Sequence, residues 1–149
     1  MKLKRDDRLT EFKRIEKLLY GNNYEVWFNL YGPGDTELSL EKSMKKLISN
    51  SCFLSGSVPS SPSEARKEIL SMVLSDGDHA YGPIDLQLKK NEITTLINNV
   101  FTHISLDRAD LVAEFGFRKG HPHYPVFWDF AYDVHSEEKR WLFIGSSSD

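Results

Sequence analysis

Apolar positions fall at helical spacing in four stretches and in strand-like patterns in six. The first is Leu9, Phe12, Ile15 and Leu18/Leu19, which makes one helix face. Asp6 or Asp7 is placed to cap it, and Gly21-Asn22-Asn23 to end it. Tyr24, Val26, Phe28 and Leu30 then alternate, predicting a strand over Tyr24–Tyr31 that Gly32-Pro33-Gly34-Asp35 turns. A second helix is expected over Leu38–Ser49, with Leu40, Met44, Leu47 and Ile48 inward. A short strand follows over Cys52–Val58, and Pro59-Ser60-Ser61-Pro62 breaks it.

The sharpest local signature is Ser61-Pro62-Ser63-Glu64. A serine cap, a proline at the first helical position and a glutamate at the third form a capping box with a proline start. The third helix should begin at Pro62, bury Ala65, Ile69, Met72 and Val73, and stop by Asp76-Gly77. Ile84, Leu86 and Leu88 alternate as a short strand would. From Asn91, the spacing of Ile93, Leu96, Ile97, Val100, Phe101 and Ile104 predicts a fourth helix.

Strands dominate the rest. Asp110–Phe117 alternates through Leu111, Ala113, Phe115 and Phe117, and Val126–Val134 through Val126, Trp128, Phe130 and Tyr132. Arg140–Ile144 is apolar on both faces, as a central or well-covered strand is, and the short polar Ser136–Lys139 makes the last two strands a hairpin. The fold class is therefore α+β, or mixed α/β: about four helices on a sheet whose C-terminal part is an antiparallel hairpin or meander.

Composition narrows the chemistry. At 149 residues the chain is one globular domain, and a chain of that length buries roughly 70% of its unfolded surface without a staple. One cysteine, Cys52, excludes an internal disulfide and any Cys-rich zinc module, and its apolar setting reads as buried and inert. No apolar run is long enough to span a membrane, and Met1–Asp7 lacks the apolar stretch of a signal peptide, so a cytoplasmic protein is expected. Residues 1–20 hold 7 basic and 4 acidic side chains while the other 129 hold 12 and 18, leaving a body of net -6 behind a basic helix. That balance argues against direct nucleic-acid binding.

Phosphate loops, nucleophile elbows, zinc-protease and kinase motifs are all missing, so no cofactor is expected. Histidine is the best chemical lead. His121-Pro122-His123 lies in the loop before the Trp128 strand, where residues two apart point to one side. Asp129, Asp133 and His135 share one strand face by parity. A set of His79, His121, His123 and Asp129 would serve a small metal- or histidine-dependent hydrolase or nuclease. The plainer reading packs the histidines against aromatics and makes the aspartates the wet face of an antiparallel sheet.

The leading reading is a protein-binding module. In its whole-chain character (one domain, mildly acidic, α+β, no catalytic signature) the chain resembles the immunity proteins of bacterial toxin–immunity systems, including contact-dependent inhibition. That resemblance rests on no single motif. It implies binding to one cognate toxin domain, often a basic nuclease, and occlusion of its active site. The carboxylates placed for such contact are Asp76, Asp78, Glu137, Glu138, Asp129 and Asp133.

Overall fold

The computed structural model describes residues 8–77 and 81–149. The expected caps Asp6 and Asp7, and the candidates Asp78 and His79, lie outside the described residues. The elements run α1 (Thr10–Leu19), β1 (Gly21–Asn22), β2 (Glu25–Gly34), α2 (Leu40–Leu47), β3 (Phe53–Pro59) and α3 (Pro62–Val73). β4 (Gly82–Pro83), α4 (Leu86–His103), a single 3-10 turn at Leu106–Arg108, β5 (Leu111–Lys119), β6 (Trp128–Ser136) and β7 (Lys139–Ser148) complete the order. The fold is α+β. β2-β7-β6-β5-β3 form one sheet, antiparallel at every pairing, and β1 and β4 a second, two-stranded one.

The sheet is covered on both faces. On one, Phe28, Phe130, Tyr132, Val134 and Phe143 meet Phe12 and Ile15 of α1, Ile69 of α3 and Ile97 of α4. On the other, Ala131, Leu142 and Ile144 pack with Met44 of α2, Cys52 and Phe115. β7 is an interior strand, between β2 and β6, as its two-sided apolar sequence requires. Glu137 (φ 51°) and Glu138 (φ 64°) both adopt left-handed conformations at the β6–β7 turn, the signature of a tight two-residue hairpin.

Both sheet edges are blunted by carboxylates. At the β2 edge the Phe28 N–H donates to Glu16 at 3.1 Å, and Arg8 donates to the Phe28 carbonyl at 3.0 Å. At the β3 edge the Leu54 N–H donates to Glu41 of α2 at 2.9 Å, and Pro59 offers no donor.

Three sequence expectations are corrected. Ile84–Leu88 is not a strand: Asp85 enters at φ 54° and α4 begins at Leu86, so Leu86 is buried and Leu88 stands 86% exposed. Leu86 lies two helical turns before Ile93 on the same face, and that longer period prevails over three alternating residues. On β5, Leu111 is exposed while Val112 enters the α1/α3/α4 core and Phe115 the α2 core, because both faces of this strand are covered. On β6, the face carrying Ala131 and Asp133 is closed by α2, so it is not the wet face.

Candidate partner-binding surface

Asp133 shows what closing that face requires. It is 3% exposed, and Arg140 binds it through Nε at 2.9 Å and Nη2 at 3.1 Å. The same guanidinium donates to the carbonyls of Leu38 (2.7 Å) and Asp35 (3.2 Å) and to Ser43 Oγ (2.5 Å), and its Nε also reaches His135 Nε2 at 2.9 Å. Every charge is paired, and the knot ties the β6–β7 hairpin to the start of α2. Asp133 is a structural residue, withdrawn from any contact surface.

The histidine loop is a second anchor. Gly120 (φ +81°) lets residues 120–127 leave β5, since a Cβ there would lie 2.5 Å from the Ser51 carbonyl oxygen. The His123 N–H donates to His121 Nδ1 at 3.0 Å, so the proton of the neutral His121 ring belongs on Nε2. That atom is buried without a hydrogen-bond partner among the described residues, 3.9 Å from Asp129 Oδ2. The His121 ring packs on Phe117 with centroids 4.8 Å apart. His123 lies flat on Trp27 (5.3 Å, 4°), its Nδ1 3.2 Å from Ser146 Oγ. Burial lowers both pKa values from the ordinary histidine range. Asp129 opposes the shift at His121, and Glu16 and Glu25 oppose it at His123.

The structure thus brings His121, His123 and Asp129 together, but as packing partners rather than as converging ligands. Among the described residues no group of three or more His, Cys, Asp and Glu side chains is arranged to hold a metal ion. Cys52 is fully buried, its thiol pKa raised by burial.

The anchored loop delivers apolar side chains to the surface. Tyr124 and Val126 are exposed, and Phe127, 40% exposed, stacks on Tyr24 (5.8 Å) and tilts against Tyr81 (5.5 Å). Tyr24 in turn accepts the Trp128 indole N–H at 2.8 Å. These four rings line an open groove of about 450 Å³ with Ser71 and Met72 of α3. Trp128 is therefore only partly buried.

One and two turns back along α3, the same stripe carries Glu68 and Glu64. Glu68 lies close enough to Glu114, on β5, and to the Tyr132 hydroxyl to raise the pKa of both. The Glu114 pKa is raised, first by desolvation and then by the charge of Glu68, with Asp129 adding to it. Tyr132 is pushed far above the usual phenol range, by burial and then by Glu68. Arg66, the arginine of this helix, turns away to Asn98 (2.9 Å) and Asp107 (2.7 Å). The surface thus runs from an acidic cluster into an aromatic groove.

No protein family, curated protein or solved structure matches this chain.

Sequence reasoning missed Glu64, Glu68 and Glu114. The i, i+4 pair on α3 was legible, but only the tertiary fold sets Glu114 against it. Among the described residues, the anticipated contact carboxylates do not form one surface. Asp76 is exposed in the turn beside the groove. Asp129 lies on the opposite sheet face with His121. Glu137 and Glu138 sit at the other end of β6 from Trp128, roughly 26 Å away at strand rise, with Glu137 3.8 Å from Arg108.

Proposed function

We propose that this chain is a binding protein that neutralises a basic protein partner, a toxin domain of the nuclease kind, by covering its active site. The observation that carries the reading is the run of exposed or half-buried Glu64, Glu68 and Glu114 on adjoining elements, beside the exposed Tyr81 and Phe127. Like charges held together on a surface cost stability, and a cationic partner relieves that cost. Exposed aromatics beside them are the residue type that anchors interfaces. A nuclease must be basic to hold phosphate, so carboxylates speed its capture and reject other partners.

The test is affinity capture of the tagged chain from its native cells, identification of the captured domain, and association kinetics across a salt series. The expected partner is a basic domain whose association slows steeply with salt. Replacing Glu64, Glu68 and Glu114 together by Gln should slow that association by roughly tenfold at low salt, while Glu137→Gln/Glu138→Gln leaves it nearly unchanged. An association rate indifferent to salt and to the triple variant would overturn the proposal. So would substrate turnover lost in His121→Ala or His123→Ala.

A further inference from the structure

We infer that the groove beside Trp128 is a receptor for an arginine side chain of the partner. This rests on reading the surface as one for a basic protein. The rings of Tyr24, Tyr81, Phe127 and Trp128 line it, and the described residues lining it include no lysine or arginine. Phe127 and Tyr81 are partly exposed, so both rings reach the surface of the groove. A guanidinium stacks on such rings through its planar face and the ring quadrupole.

Charge and shape then select the same ligand. Exposed Asp76 adjoins Gly77 of the groove wall, and Glu68 lies one helical turn before Met72; these carboxylates supply the negative potential a cation follows inward. Among the described lining residues, the polar side-chain groups are the hydroxyls of Ser71 and Ser75, the phenols of Tyr24 and Tyr81, and the Trp128 indole N–H. Tyr24 already accepts the Trp128 indole N–H, which fixes both rings, so the site is built before the ligand arrives. A neutral apolar side chain would gain the rings and nothing from the carboxylates. An acidic one would be repelled. Arginine uses both halves.

The probe is N-acetyl-arginine amide, titrated into the full chain while the indole N–H resonance of Trp128 is followed by NMR. N-acetyl-norleucine amide, similar in reach and neutral, is the control. Assignment comes from Trp128→Phe. The expected result is a saturable shift with the arginine probe, little shift with norleucine, and binding weakened roughly fivefold in Phe127→Leu. Near-UV circular dichroism checks that this variant is folded. If it is not, the wild-type comparison of arginine with norleucine decides the matter alone. Equal shifts with both probes, or an arginine response that spares Trp128, would overturn the inference. The two readings fail separately. A basic, salt-sensitive partner with no arginine response at Trp128 leaves the proposed function standing. An arginine response with no basic partner leaves the receptor standing and removes the function.

Discussion

Asp133 and Arg140 show how one residue changes meaning with its surroundings. On a strand of alternating character an aspartate reads as a solvent-facing charge. Here it is buried because Arg140, across the hairpin, brings a five-donor fork that satisfies it and two backbone carbonyls of the segment leading into α2. A buried pair of this kind is costly to break and cheap to replace whole. Arg140→Ala should therefore destabilise the fold by about 3–5 kcal/mol in urea unfolding, since it strands a buried carboxylate. Replacing Asp133 and Arg140 together by Asn and Met should cost clearly less than the two single changes summed. Simple additivity would show that the two charges act independently.

At the scale of elements, α3 is the most legible piece of the chain. Its Ser61 side chain accepts the Glu64 N–H at 3.2 Å, Pro62 opens the first turn, and Ala65, Ile69 and Val73 are buried. Ser61→Ala should cost about 1 kcal/mol through the lost cap, measured by thermal or urea unfolding. Ser61→Asp should recover most of that, because a carboxylate also caps. Where local signals were thin the reading slipped. α4 starts with no capping side-chain bond and a left-handed Asp85, so no cap motif marked its beginning. On β5 period two did not sort the faces, because helices cover both sides of that strand. The 120–127 loop owes its path to Gly120 and to two histidines packed on Phe117 and Trp27. Those contacts join segments far apart in the chain.

At the scale of the whole molecule, the carboxylate cluster of α3 and β5 is set against stability. The Glu114 pKa is raised in the folded state, so the folded protein holds this proton more tightly than the unfolded chain does. Its contribution is fully present below the unfolded glutamate value and is lost as pH rises through the raised folded value. Glu114→Gln should therefore raise the melting temperature at pH 7–8 and flatten its dependence on pH above the ordinary glutamate range. The same substitution should weaken binding to a basic partner. A drop in melting temperature at neutral pH would show that Glu114 is structural and would remove the sign of this argument. Surfaces that carry such a cost are those where function competes with stability.

The sequence by itself determined the α+β class, α3 and its cap, the four apolar helix faces, the interior place of β7 and the final hairpin. Each of these follows from periodicity and turn chemistry, which act over a few residues. Tertiary structure decided the rest. Closure of the second sheet face by α2 turned Asp133 from a surface charge into a buried one. Pairing of β5 with β6 set Glu114 against Tyr132, and packing of α3 over that pair brought in Glu68. The Phe127–Tyr81 contact joins a loop to the segment before β4, 46 positions apart by numbering (127 less 81). A groove built from such separations leaves no periodic trace in the chain, and its carboxylates are distinguished only by the neighbours the fold gives them.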